Sequence, residues 1–372
     1  MTRSLKLFFA TMMITALCFG YAGVYFPLEH YDFERLHIFL FNLCTGGTII
    51  LYFTEGKDKL SFRTGMFLVL SLLYALSAFF EIYPVTIIIS IALASIVESL
   101  RIEKFSIFPW NFFTLKESVS AKFHQASLLC LSIGLVMSSI VIINNEYMHA
   151  VVMEKLALNT FFLGFSFPLS LITLSVIFSM IRANGESLTG IISVICFWTI
   201  NLGVIIFFIF ILFEKFYPQL VVTSALFIAV ITVFRLYRKL GQKMQQKQFL
   251  SSGIGFLIAT AISGIVYIFY QMAPDYNPVN TKWLLRIHTF ASLYGWNLCG
   301  LAVICRFRDF PIRMHSGMVI MVHWLTALIL APLGTLIAPF APLAIAGYVF
   351  IVVTLFFSNV KNRRIGQFIV KY

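Results

Sequence analysis

The sequence predicts an all-α, polytopic membrane protein, and three of its properties support that fold class. Of the 372 residues, 60% are hydrophobic and only 11% are charged, whereas soluble domains carry roughly 25% charged residues. Twelve apolar stretches are each long enough, or nearly so, to cross about 30 Å of hydrocarbon. These stretches are continuous, unlike the short alternating strands of a membrane barrel. Soluble, fibrous and disordered classes are therefore excluded.

Charged and proline-rich breaks divide the chain into about twelve expected transmembrane helices. They cover residues 5–26, 36–54, 65–81, 83–100, 123–144, 152–181, 188–213, 216–237, 249–271, 284–306, 314–335 and 338–358. No linker or soluble domain separates them, so we expect a single transmembrane domain over residues 1–372. The aromatic segment 105–113 contains a proline and is too short to span, and we expect it at the inner headgroup level.

The distribution of basic residues predicts the orientation. With the N-terminus inside, 22 of the 27 Lys and Arg residues fall on inner segments, and the other five are Arg35, Lys155, Lys215, Lys282 and Arg286. This excess predicts that both termini are cytoplasmic, in a multi-pass protein of the inner (cytoplasmic) membrane whose main partner is the lipid bilayer. Because topology explains the net charge of +12, we infer no nucleic-acid partner.

Two histidines stand out because their surroundings repeat. His37 and His288 lie near the outer ends of the second and tenth helices, in the triplets Arg35-Leu-His37 and Arg286-Ile-His288, and each is followed by Asn-Leu-Cys and then a glycine. Both helices run from outside to inside, so the two imidazoles are expected at similar depth. One histidine from each of two helices suits the axial positions of a six-coordinate haem, with Arg35 and Arg286 near its propionates. The alternative, left open by spacing alone, is that both are ordinary polar residues at helix starts.

Other residues of these helices are open to similar alternatives. Gly46, Gly47, Gly295 and Gly300 would admit either a flat macrocycle or a close neighbouring helix. His323 lies in the middle of the eleventh helix, where we expect a hydrogen bond between helices. The six cysteines form no CxxC pair and are expected to be buried thiols.

The segment from Arg35-Leu-His37 to Gly46-Gly47 resembles the second helix of haem-copper oxidase catalytic subunits, especially those of the cbb-type oxidase and nitric oxide reductase branch. The segment from Arg286-Ile-His288 to Gly295-Trp296 resembles the tenth helix of that branch, in which H-x-H precedes a Leu-Gly-Trp-like stretch. The helix count and the cytoplasmic termini agree with this family. By resemblance, His37 and His288 are the axial ligands of one low-spin haem b.

The chain departs from this family at the catalytic centre. Arg286 stands where the family has the ligand of its high-spin haem, and a guanidinium does not ligate iron at neutral pH. The sixth and seventh helices carry no histidine for copper. The resemblance therefore implies a relative that keeps a single bis-histidine haem b, binds no copper, and has lost oxygen or nitric oxide reduction.

From these features we expect a membrane haem protein, with a role in electron transport or in haem sensing or storage. Its redox partner would be a quinol or a protein at the outer face, and whether it is an enzyme stays open. A twelve-helix transporter is an alternative, against which stands the lack of a mid-membrane acidic residue and of paired interrupted helices. A non-catalytic assembly subunit with an empty haem fold is another.

Overall fold

The described residues form helices joined by loops, and they include no named strand. The structure is a computed structural model that describes residues 1–26, 31–57, 59–153, 155–156, 160–181, 187–242, 246–307 and 316–358. The helices are α1 Arg3–Tyr25, α2 Phe33–Glu55, α3 Phe62–Phe79, α4 Tyr83–Lys104, α5 Val119–Met148, α6 Leu163–Ser179, α7 Leu188–Leu212, α8 Phe216–Leu240, α9 Lys247–Gln271, α10 Pro278–Cys305, α11 Gly317–Leu336 and α12 Ala338–Phe357. Eleven are long and apolar enough to cross a membrane, and α6 is shorter. The expected all-α membrane bundle is confirmed for these residues.

Several helix boundaries differ from those expected. The sixth span does not begin at residue 152, because α5 continues to Met148 and the chain at 151–153 is not helical. α2 and α10 begin earlier than expected because polar side chains cap their first turns: Asp32 accepts a hydrogen bond from the Arg35 amide at 2.8 Å, and Asn277 accepts one from the Val279 amide at 2.9 Å. Residues 154, 157–159 and 359–372, together with His30 and His315, lie outside the described residues.

The helices pack largely in chain order, and α12 closes the bundle by packing on α1. α2 and α10 lie deepest: 89% and 78% of the residues in their most apolar windows are buried, against 17% in α7. The helices that carry the repeated histidine triplets are therefore the central helices of the bundle.

Both central helices change from α-helical to π-helical geometry shortly after their histidine, over Phe39–Gly47 in α2 and Ala291–Asn297 in α10. A π-helical turn leaves carbonyl groups to be satisfied by side chains, and such turns are frequent at functional sites. In α2 the Thr45 hydroxyl donates to the Leu40 carbonyl at 2.8 Å. In α10 the Tyr294 carbonyl accepts a hydrogen bond of 2.7 Å from Nε2 of His323 on α11. The interhelical bond expected of His323 is confirmed.

The repeated Asn-Leu-Cys motif contacts α6, which lies between α2 and α10. Asn42 donates to the Ser166 hydroxyl at 2.6 Å, and Asn297 accepts from the Ser170 hydroxyl at 3.0 Å. Ser166 and Ser170 are one helical turn apart. Asn42 follows His37 by five residues and Asn297 follows His288 by nine. This offset of four residues between the two copies of the motif corresponds to one turn of α6.

The four glycines of these helices serve close packing between helices. A Cβ atom at Gly46 would lie 2.4 Å from the Leu169 side chain, and one at Gly300 would lie 1.7 Å from the Thr173 hydroxyl, both on α6. The spaces beside Gly47 and Gly295 are filled by the rings of Phe67 and Phe256. Two uses were expected for these glycines, and the structure shows the second one, close contact with a neighbouring helix. The described cysteines are free thiols, and Cys18 alone of the six is exposed.

The aromatic segment at 105–113 is bound to the bundle by two buried cations. Arg101 donates to the carbonyls of Ser106 and Ile107, each at 2.9 Å, and the Lys122 amine donates to the Phe112 and Thr114 carbonyls. Trp110 remains exposed. The segment is thus a fixed loop with outward-facing aromatic rings.

Candidate haem site on α2 and α10

His37 is held in a pocket on the neighbouring helix α1. Its side chain is buried, and Nδ1 lies 2.8 Å from the Ala16 carbonyl oxygen. Its ring packs against Gly20, where an added Cβ would lie 2.9 Å from Nδ1. A side chain at position 20 would therefore displace the imidazole.

His288 is held in the same way on α9. Its Nδ1 lies 2.9 Å from the Thr260 carbonyl oxygen, and the Ser263 hydroxyl is 3.3 Å from the same nitrogen. A Cβ added at Gly264 would lie 3.2 Å from Cε1 of the ring. The second histidine thus also has a carbonyl and a glycine as its immediate surroundings.

The two histidine pockets follow one pattern. Each uses a carbonyl of the preceding helix and the glycine four residues after it, Ala16 with Gly20 and Thr260 with Gly264. Because a carbonyl only accepts hydrogen bonds, Nδ1 must carry the proton in the neutral ring, which leaves the lone pair on Nε2. Metal-bound histidines commonly have their other nitrogen fixed in this manner. Sequence reasoning missed both pockets because small residues four apart are common in membrane helices.

His323 has the opposite arrangement. It is fully buried, and its Nε2 is engaged by the Tyr294 carbonyl, while Nδ1 lies 4.0 Å from the Cys299 thiol. Because a carbonyl only accepts, Nε2 of His323 carries the proton and has no lone pair to offer a haem iron. This difference in tautomer separates His323 from the buried His37 and the half-buried His288.

Tyr294, on α10, covers the face of His37. Its hydroxyl lies 3.0 Å from Nδ1 and 3.3 Å from Nε2, and the two ring centroids are 5.4 Å apart. Since the Nδ1 proton is directed at Ala16, the hydroxyl can donate only to Nε2. Tyr294 therefore stands beside the nitrogen of His37 that would bind a metal.

A small cavity separates α1, α2 and α10 at this point. Its volume is about 50 Å³, and its wall includes His37, Tyr294 and, at the inner end, Asn42. Such a volume admits a few water molecules. The Oδ1 atom of Asn42 is buried and has no hydrogen-bond partner among the described residues. The cavity thus contains one orphaned acceptor deep in the bundle.

The outer end of this cavity carries an ion pair between α2 and α10. Arg286 donates to the Glu34 carboxylate at 2.8 Å, and both side chains line the cavity. The pair aligns the two helices: His37 follows Glu34 by three residues and His288 follows Arg286 by two. Arg286 is therefore the basic residue at the mouth of the cavity.

Arg35 lies elsewhere. It forms an ion pair with Asp32, in which Nε lies 3.4 Å from Oδ2. Together with Tyr83 and Glu146 it lines a second cavity of about 70 Å³. The two arginines hold the same position in the repeated triplet, but in the structure they line different cavities. Arg286 is near His37, and Arg35 faces the space between α2 and α5.

The donor atoms and the available space differ in how well they fit a haem. The two matched glycine cradles and the unprotonated Nε2 atoms fit a bis-histidine haem, although the Tyr294 hydroxyl already donates to Nε2 of His37. The space does not fit one in this conformation, because His288 is not part of the cavity wall and Tyr294 covers His37. No group of three or more His, Cys, Asp or Glu side chains in the described part of the chain is arranged to hold a metal ion.

No protein-family model, no curated protein and no solved structure matches the chain. The relationship to haem-copper oxidases stays a prediction from two helices.

Proposed function

We propose that the chain is a membrane haem protein that binds one low-spin haem b through His37 and His288 and transfers electrons. The observation that carries the proposal is the matched pair of pockets, in which a carbonyl and a glycine on the preceding helix orient each imidazole. Each histidine lies two or three residues before the π-helical turn of its central helix. A quinol or a redox protein at the outer face is the proposed electron partner.

In this proposal the protein contributes ligands and charge. The Ala16 and Thr260 carbonyls hold Nδ1–H of the two histidines, so that each Nε2 is available. Arg286 supplies positive charge for a propionate at the outer end. A haem with two imidazole ligands supplies one-electron transfer when bound. Tyr294 must leave the face of His37 for the ring to enter.

An absorbance spectrum of the detergent-purified protein tests the proposal. We expect a Soret band and sharp α and β bands on reduction, with about one haem per chain. Replacing His37 or His288 by Ala should remove most of the haem or convert it to a high-spin form. His323→Gln is the matched control, because a buried histidine is replaced without loss of a proposed ligand.

Two results would contradict the haem assignment. One is a purified, folded protein that lacks haem and takes up none when haemin is added. The other is an unchanged low-spin spectrum in the double variant of His37 and His288.

A second candidate is a transporter for a small polar solute, favoured by the cavity that contains the orphaned Asn42 oxygen and ends at the Glu34–Arg286 pair. Light scattering from proteoliposomes exposed to urea tests it. The transporter predicts faster entry than in empty liposomes and a loss of that rate in Asn42→Leu, whereas the haem protein predicts no difference.

A further inference from the structure

Among the eleven described helices that are long enough to span a membrane, α7 has the smallest buried fraction. Only 17% of its most apolar window is buried, against 28% in its neighbour α8. α7 packs mainly on α8 and touches α5 and the start of α6. Its free side carries a stripe of exposed apolar side chains along its whole length: Leu188, Ile191, Ile195, Leu202, Ile206, Ile209 and Phe213.

Asn201 lies beside this stripe, near the middle of α7 and therefore near the middle of the bilayer. Its side chain is half-buried, and its carboxamide makes no hydrogen bond with any described residue. Lipid chains offer no hydrogen-bond partner, so an unpaired amide at this depth is costly. A partner helix with a polar group at the same depth would remove that cost.

Three other carboxamides of the membrane-spanning helices are paired inside the bundle. Asn42 and Asn297 bond to serines of α6, and Gln219 donates to the Phe210 carbonyl at 3.0 Å. Gln125 has no partner but is fully enclosed, where no second molecule can reach it. Asn201 differs from these residues because it is partly exposed, next to an apolar face that can accept a helix.

We propose that two copies of the chain associate in the membrane through α7, with their Asn201 carboxamides hydrogen-bonded to each other. A two-fold axis along the membrane normal brings identical residues to the same depth, as a symmetric dimer requires. A carboxamide both donates and accepts, so two of them form a reciprocal pair. A different partner protein would need a polar group placed independently at that depth. This dimer does not depend on the haem proposal.

Counting photobleaching steps of the fluorescently labelled full-length protein in lipid bilayers at low density tests the dimer. Wild type should be mainly dimeric. Asn201→Leu should weaken association by about three- to thirtyfold, the range of polar bonds between membrane helices, and Asn201→Gln should retain most of it. Thr232→Val on α8 is the matched control, since its hydroxyl is already bonded to the Ile228 carbonyl at 2.8 Å, and it should leave the dimer unchanged.

Asn201→Leu should fold, because the substitution places an apolar side chain against lipid, and its elution profile and melting temperature check this. A monomeric wild-type protein would overturn the proposal. A dimer that Asn201→Leu leaves intact would overturn it as well, because another surface would then hold the two copies together.

Discussion

Tyr294 and His37 are joined face to face across the α2–α10 contact, with the tyrosine hydroxyl 3.3 Å from the one imidazole nitrogen that the Ala16 carbonyl leaves free. A ligand that binds Nε2 of His37 must displace this hydroxyl. The Ala16 carbonyl thus fixes the proton of the neutral ring on Nδ1, and the Tyr294 hydroxyl competes with any metal for Nε2.

The first prediction follows from this competition. Tyr294→Phe removes the hydroxyl and should raise haem affinity by about fivefold, since one hydrogen bond contributes about 1 kcal/mol. Haemin titration of the haem-free protein measures the change. Tyr348→Phe is the control: its ring is 4.8 Å from that of Tyr294, and its hydroxyl has no partner among the described residues. Weaker haem binding in Tyr294→Phe alone would indicate that the hydroxyl supports the site.

The glycine cradles give a second prediction. Gly20→Ala and Gly264→Ala should each lower the haem content, and Gly20→Ala should do so more strongly, because its Cβ approaches the imidazole more closely, at 2.9 Å against 3.2 Å. The ratio of haem to protein and the low-spin electron paramagnetic resonance signal measure the effect. Gly23→Ala, on the same helix as Gly20 with open space around it, should change neither quantity. Equal haem content in all three variants would exclude His37 and His288 as ligands.

A third prediction separates the two arginines. Arg286→Gln should lower the haem potential or weaken retention, because it removes the positive charge at the mouth of the cavity and leaves Glu34 unpaired beside it. Arg35→Gln should do neither, because Arg35 lines the other cavity. Redox titration followed by dialysis measures both properties. Lys215→Gln, in a different outer loop, is a further control, and equal shifts in all three variants would indicate a general surface-charge effect.

The fourth prediction concerns stability. His323→Ala should destabilise the protein by about 1–3 kcal/mol, because the buried Tyr294 carbonyl loses the donor that satisfies it in the π-helical turn. His323→Gln can still donate and should recover part of the loss. Melting temperatures in one detergent measure the difference. Since Nε2 of His323 is not a proposed ligand, the haem spectrum of either folded variant should keep its low-spin bands.

The continuous apolar runs predicted the helix count well, and the observed helices differ from the expected ones at their ends. α6 is short and α10 begins at Pro278, because capping residues such as Asn277 and the geometry of the preceding turn set helix starts. The repeated Arg-x-His and Asn-Leu-Cys triplets identified the two central helices. Which neighbour each side chain meets was not predictable, because the π-helical turns change the rotation of every residue that follows them.

The sequence by itself determined the fold class, because about twenty consecutive apolar residues have one stable arrangement in a bilayer, and that condition is local. The tertiary structure decided what each polar residue does. It placed Arg286 and Arg35 beside different cavities and packed the glycines near Asn42 and Asn297 against neighbouring helices. It also determined which ring nitrogen carries the proton in His37, His288 and His323. These outcomes depend on which carbonyl or side chain of another helix lies within about 3 Å, a distance that only packing sets.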